Sequence, residues 1–350
     1  KSRFVVGKVI GGGEAVDVGI PLYSPTMDMK LIYTMLSVGL QNKLELSVAD
    51  VSAAFLRSKM PVPGVLVLLE KHMVDRLLAM DELPRHWAAF RRKDGTMVVE
   101  CDRAWYGQQS CCAIWNGEIN RAIVDRCGYT RHSIVPCLYY RDVGNGEKAY
   151  IMLFVDDLGM LTARNGTEKE RVTKILEHDF GVMTKQDGDR VKYVGFEIYR
   201  NRKEDRFEVT MEKRAKKLAV KQNVKVTATN PARADGSFTE QAAEDKSEPV
   251  DVTQFRSLVM SERYLTQVMP ECLFHTSYLA TKQASPVQKD WDDAIRVLEY
   301  MLGACEAPVL IHACGERPVL DVFTDASFQT HVDSRSHSGI AIFLGSAGAA

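Results

Sequence analysis

Residues 149–163 read AYIMLFVDDLGMLTA, an apolar run, two adjacent aspartates and a second apolar run. Tyr150–Val155 is rich in large apolar residues, as a buried strand is, and Leu158–Thr162 suits its hairpin partner. Asp156 and Asp157 then fall at the tight tip. Two carboxylates on a rigid apolar hairpin make poor core but a good holder for divalent cations. Mg²⁺ prefers oxygen ligands and commonly binds through one or two carboxylates plus substrate phosphates. An ordinary Asp-Asp turn is the competing reading, because Asp is a common turn residue.

Outward from this stretch, Leu44–Leu56 reads LELSVADVSAAFL. Leu44, Leu46 and Val48 alternate with polar or small residues, the pattern of a half-buried strand. Asp50 falls near its end, and an Ala-rich stretch turns away after it. A third carboxylate facing the Asp156–Asp157 tip across one sheet would complete the ligand set of a two-metal site. Such sites hold ions about 3.5–4 Å apart and stabilise the attacking and leaving oxygens of a phosphoryl transfer. Spacing in sequence does not by itself bring the three together, and a lone Asp at a strand end is usually a turn or cap.

Further blocks stand in order along the chain. Lys1–Gly7 reads KSRFVVG, Asp50–Leu56 DVSAAFL, Ala104–Gly107 AWYG followed by Trp115, and Cys137–Tyr139 CLY. Phe154–Asp157 reads FVDD, Tyr193–Ile198 YVGFEI, Phe255–Val259 FRSLV, and Trp291–Gly303 WDDAIRVLEYMLG. In this order they are similar to KxRxVxxG, DVxxAFL, LYGLKQxxRxW, DPCLY, YVDD, YxLGIEI, YRSLVGSL and WxAxxRVLRYLKGT. With them the chain resembles the reverse transcriptase of copia-like LTR retrotransposons, over nearly all of its 350 residues. The series runs on: Leu320–Ser327, LDVFTDAS, resembles the first strand of the RNase H domain that follows in that family. Arg335–Gly339 with Ala341–Gly345 resembles its RxSxSGYxxFLG block. Asp325 matches that domain's first catalytic carboxylate, and the family's other RNase H carboxylates lie further on, so that site is expected to be incomplete here.

The resemblance implies a fold and an activity. The fold is α+β, a right-hand polymerase of fingers, palm and thumb with an antiparallel palm sheet, followed by the first strands of an RNase H-like domain. Residues 1–209 would form fingers and palm, 210–316 a thumb- or connection-like helical region, and 317–350 the RNase H-like start. The activity is RNA-directed DNA polymerisation, adding dNTPs to a primer 3′-hydroxyl on an RNA or DNA template with two Mg²⁺ (or Mn²⁺) ions. Asp50, Asp156 and Asp157 would be catalytic and, with Val51, would contact metal. Lys1, Arg3, Phe55 and Gln108 would contact the nucleotide; Arg suits bidentate phosphate contact and Lys a point charge. A bulky Phe55 under the sugar would exclude a 2′-hydroxyl, although a plain core Phe is the other reading. Phe154, Tyr193 and Gly195 would contact the primer. Implied partners are RNA template, DNA primer, dNTPs and other Gag and Pol polyprotein segments, in a cytoplasmic virus-like particle or the nucleus, with transposition and DNA integration as the setting.

Departures from the family pattern keep a second reading open. Gly107–Ala113 reads GQQSCCA where the family has GLKQxxR, so its Lys and Arg are missing. Phe154 stands for the usual Tyr, and Thr266–Glu271, TQVMPE, has lost the arginine of TRPDI. A catalytically degenerate or domesticated protein that only binds nucleic acid is the alternative. A different metal-dependent phosphotransferase with a chance Asp-Asp hairpin is the remaining one.

Composition is consistent with this and adds limits. With 45% hydrophobic residues, the chain can build one large or two medium cores. Its formal charge of −1 does not advertise a nucleic-acid binder, but Lys213, Arg214, Lys216, Lys217 and Lys221 cluster on an expected helix. A phosphate backbone needs a local basic stripe, not a basic whole; a solvated helix face is the plainer reading. Eight cysteines show no CxxC pairing, which suggests no zinc knuckle and a reducing intracellular setting. No run of about 18 apolar residues occurs, so no membrane span is expected. The chain starts at Lys1 without a signal peptide, as a piece of a longer polyprotein would.

Local signals sketch the elements. A helix is expected from Ser24-Pro25 to Gly39, others over Trp115–Cys127, Thr167–Phe180 and Val252–Met269, and one from an Asp290 cap to a Gly303 stop. Val191–Tyr199 and Arg206–Thr210 are expected to form a second hairpin, and residues 226–250 a linker. No strict βαβ rhythm appears, which favours α+β.

Overall fold

A computed structural model describes residues 22–62, 65–81, 83–144, 146–232, 248–315, 317–328 and 336–345. Lys1 and Arg3, most of the expected linker and Arg335 lie outside these residues. The chain opens with α1 (Met29–Gln41), β1 (Leu44–Val51), α2 (Ala54–Arg57), β2 (Leu66–Leu69), α3 (Lys71–Leu78) and β3 (Met97–Glu100). Next come α4 (Cys111–Arg121), which passes into a wider π turn at Ala122–Arg126, then β4 (Thr130–Arg131), β5 (Leu138–Gly144), β6 (Glu147–Phe154) and β7 (Asp157–Ala163). They are followed by α5 (Glu168–Phe180), β8 (Met183–Gln186), β9 (Arg190–Tyr193), β10 (Phe196–Asn201) and β11 (Arg206–Thr210). The C-terminal portion holds α6 (Glu212–Lys221), α7 (Val252–Leu265), α8 (Leu273–Thr281), α9 (Gln288–Ala304), β12 (Val309–Ile311), β13 (Leu320–Ser327) and β14 (His337–Leu344).

The described residues fall into two compact units. One is formed mainly of Ala49–Met160 and Gly166–Lys185, the other of Asp28–Val48, Leu161–Asn165 and the described residues from Gln186 on. The largest sheet has the order β4-β5-β6-β7-β1-β8. β1 is an inner strand of it, and Leu44, Leu46, Val48, Ala49 and Val51 are all buried, not merely alternate ones, so both faces of the strand are covered. A second sheet runs β12-β11-β10-β9, antiparallel throughout. Helices and antiparallel strands are thus mixed, and among the described residues no helix is long and apolar enough to cross a membrane.

In the first unit, α5 shows how the helices are fixed. Val172, Leu176 and Phe180 form its buried stripe at helical spacing. Its first residue, Glu168, takes two guanidinium groups: Arg171 at 2.7 Å and Arg141, from β5, at 3.0 Å. Burial works against the Glu168 charge, but the two arginines outweigh it and hold the carboxyl below its usual range. In the second unit, α7, α8 and α9 pack on one another through Phe255, Leu258, Val259, Leu279, Ala294, Val297, Leu298 and Met301.

Several element ends differ from the sequence expectation. α1 starts not at Ser24-Pro25 but after Asp28, whose side chain accepts the Lys30 N–H at 2.8 Å. Gly39 lies inside α1, where a Cβ would come within 2.9 Å of Leu161; close packing, not termination, requires glycine there. Asp290 sits in the first turn of α9 and its carboxylate accepts the Val287 N–H, while Gly303 is still helical. Val191–Tyr199 is not one strand but two, broken at Val194-Gly195.

Candidate functional site

The Asp156–Asp157 stretch forms the expected hairpin tip, one residue displaced: the loop is Val155-Asp156, and Asp157 is already the first residue of β7. β1 lies beside β7 in the sheet, and at its end the Val51 N–H donates to the Asp156 carbonyl at 3.0 Å. This brings Asp50 to the tip. The Asp157 carboxyl is pushed up from 3.8 to about 6, first by burial, then by the charges of Asp156 and Asp50. Such mutual repulsion is what a cation between the groups relieves. All three carboxylates are half-buried, neither swallowed by the core nor fully in solvent.

The three aspartates do not form a closed cage. Among the described residues no group of three or more His, Cys, Asp or Glu side chains is arranged to hold a metal on its own. An oxygen-only donor set fits Mg²⁺ or Mn²⁺, and Mg²⁺ ordinarily completes its shell with waters and substrate phosphates. Val51 is fully buried, and its part at the tip is the backbone bond to Asp156.

The tip itself is conformationally costly. Val155 has φ +56°, in the left-handed region that a β-branched residue rarely enters. Two-residue hairpin loops with a positive φ at the first position normally place glycine there, and a side chain costs about 1–2 kcal/mol. Trp115 of α4 answers this cost: its indole N–H donates to the Val155 carbonyl at 2.6 Å. The ring is buried and packs edge-on against Phe180, with centroids 5.0 Å apart. The Trp was visible in sequence as the end of one block, but nothing there signalled this contact.

Phe55 on α2 is half-buried, its ring 4.9 Å from that of Tyr106 and packed by the buried Ala104, Cys111 and Ile114. Gln108 is turned inward: its carbonyl accepts the Trp105 N–H at 3.3 Å and its amide lies 3.7 Å from the Met60 sulfur. Phe154 is half-buried at the end of β6.

In the second unit, Tyr193 is buried and Gly195 occupies a tight turn between β9 and β10. Val194 and Gly195 have φ +48° and +81°, the pair of positive values of a type I′ turn. The Tyr264 hydroxyl, from α7, donates to the Val194 carbonyl at 2.8 Å, and the Arg214 guanidinium lies 4.1 Å over its ring. The α6 cations are largely occupied within the protein. Lys216 bridges Glu212 and Glu306 at 2.7 Å each, Lys213 pairs with Glu197 at 3.0 Å, and Lys221 reaches Ser257. A phosphate backbone would have to displace those partners. Asp325 stands opposite Gly339 in the β13–β14 pair and is exposed.

No protein-family model matches the chain. Its likeness among curated proteins is to a retrotransposon Pol polyprotein, which supports a Pol origin and a retrotransposon-associated function. The particular relative is the "Retrovirus-related Pol polyprotein from transposon TNT 1-94" of Nicotiana tabacum, 22% identical over 338 residues. The match takes in 94% of this chain and 23% of the relative, so the chain spans about a quarter of that protein's length.

Proposed function

We propose that this chain is the reverse transcriptase segment of a retrotransposon Pol polyprotein, an RNA-directed DNA polymerase with a right-hand fold. The observation that carries the reading is the convergence of Asp50, Asp156 and Asp157 at one sheet end, where burial first and the charges of Asp156 and Asp50 next raise the Asp157 carboxyl. When bound, two Mg²⁺ or Mn²⁺ ions would activate the primer 3′-hydroxyl and offset charge on the triphosphate and leaving pyrophosphate. Asp50 and Asp156 would hold them, and Asp157 would fix their geometry. Phe55, propped by Tyr106, would lie under the nucleotide sugar and disfavour a 2′-hydroxyl. Phe154 and the Tyr193–Gly195 turn would meet the primer end. The RNA or DNA template, the DNA primer and dNTPs are the partners this chemistry requires. Asp325 would belong to an RNase H-like domain of which β13 and β14 are the first strands.

The degenerate, binding-only reading is favoured by the missing Lys and Arg of the Gly107–Ala113 block. Primer extension on poly(rA)/oligo(dT) with dTTP and Mg²⁺ separates the two. Extension by the unaltered protein, abolished in Asp156→Asn and Asp157→Asn, is the expected outcome. Hybrid binding without extension would select the degenerate reading.

A further inference from the structure

Asp156 sits between two peptide planes, and both are gripped from outside the hairpin. The carbonyl before it, of Val155, accepts the Trp115 indole N–H at 2.6 Å. Its own carbonyl accepts the Val51 N–H at 3.0 Å. With both planes fixed, the direction in which the Asp156 side chain leaves the backbone is fixed as well. The first grip acts on a residue whose φ of +56° is unfavourable for valine. Phe or Leu at position 115 would fill similar space against Phe180 but would offer no donor.

We infer that Trp115 is a positioning residue: its indole N–H holds the strained Val155-Asp156 turn and thereby aims Asp156 and Asp157. The inference rests on the reading of these aspartates as the metal-holding pair. It assigns the strain a purpose. Glycine at position 155 would adopt this φ without cost but would leave the tip free to sample others. Valine clamped by Trp115 leaves one conformation, and rigid placement is what a reacting geometry needs.

The test is hydrogen–deuterium exchange of the Phe154–Leu158 amides in the unaltered protein, Trp115→Phe, Val155→Gly and the double variant. Losing one buried hydrogen bond should speed exchange of these amides about tenfold in Trp115→Phe. In the Val155→Gly background the Trp115 bond persists but has no strained φ to hold against, so the same change should speed exchange by clearly less than tenfold. Equal acceleration in both backgrounds would overturn the inference and leave Trp115 as packing alone. Should Trp115→Phe fail to fold, the unaltered protein decides. Its buried indole N–H must exchange in step with the tip amides, and a freely exchanging indole refutes the clamp. Calorimetric titration with MgCl₂ and primer extension run in parallel. If the unaltered protein shows neither Mg²⁺ binding nor extension, the polymerase reading falls, while the exchange cycle still judges the clamp. If it binds Mg²⁺, Trp115→Phe should weaken that affinity about tenfold, and an unchanged affinity would count against the aim assigned to the clamp.

Discussion

Two hairpin tips in this protein solve the same backbone problem in different ways. Both begin with a valine at positive φ, Val155 at +56° and Val194 at +48°. In each, an aromatic donor grips the valine carbonyl, Trp115 in one and Tyr264 in the other. They part at the second position. The β9–β10 tip follows its valine with Gly195, which takes φ +81° readily. The β6–β7 tip follows with Asp156, the residue that the proposed chemistry needs, so glycine is not available there. A turn that presents no side chain at its second position can use glycine there; a turn that must present a carboxylate cannot.

The largest effect is expected at the carboxylate tip. Asp156→Asn should lower primer extension by more than the ~10²–10³-fold that loss of a key electrostatic stabiliser costs, with little change in melting temperature. A drop of less than tenfold would place the chemistry elsewhere.

The glycine tip depends on α7, which carries Tyr264 and also Glu262. Glu262 is fully buried, and among the described residues neither of its carboxylate oxygens has a hydrogen-bond partner. Burial holds its carboxyl well above the usual range. The block that Phe255–Val259 resembles has leucine where Glu262 stands. Glu262→Leu should stabilise the protein by about 2–4 kcal/mol, measured by urea unfolding. No gain would mean that the acid has a partner in solution.

Gly195→Ala should cost about 1–2 kcal/mol from the left-handed backbone alone. The added Cβ also meets the Tyr264 hydroxyl at 2.9 Å. By contrast, Val155→Gly should not destabilise through strain, since glycine accepts that φ. Equal losses at both tips, read by urea unfolding, would mean that the two turns tolerate their backbones alike.

The smallest effect concerns pH. The folded Asp157 carboxyl titrates near 6 instead of 3.8, so the native state keeps a proton that the unfolded chain releases across that window. Stability therefore falls as pH rises from 3.8 to about 6 and stays lower above it. Asp157→Asn should be more stable than the unaltered protein at pH 7.5, and the gain should shrink at pH 5. Added Mg²⁺ should narrow the difference by stabilising the ionised carboxylates. A gain independent of pH would show that burial and the neighbouring charges do not raise the Asp157 carboxyl.

Much of the proposed site was legible in the chain, for identifiable reasons. The Asp156–Asp157 hairpin announced itself because two apolar runs flank two charges, a pattern with few other folded solutions. The α5 helix was legible because Val172, Leu176 and Phe180 keep its period. The strand break at Val194-Gly195 was hidden, because Val191–Tyr199 is apolar enough to pass for one strand and a I′ turn needs only two residues. The pairing of β12 with β11 had no signal either, since three residues, Val309–Ile311, carry no period of their own. Likewise, the basic run on α6 could be counted, but not the glutamates from other elements that neutralise it.

The chain's own pattern thus marked out the residues to which the chemistry is proposed to belong: three aspartates at strand ends, on apolar segments that must be buried. Periodicity and turn composition are local properties, and they suffice for that. It took the folded chain to bring Asp50 to the Asp156–Asp157 tip, to set Trp115 and Tyr264 against two strained turns, and to bury Glu262 with no hydrogen-bond partner among the described residues. Each of these depends on groups far apart in the chain meeting at hydrogen-bond or Coulomb range, and a pattern along one dimension specifies which face is buried without specifying what it is buried against.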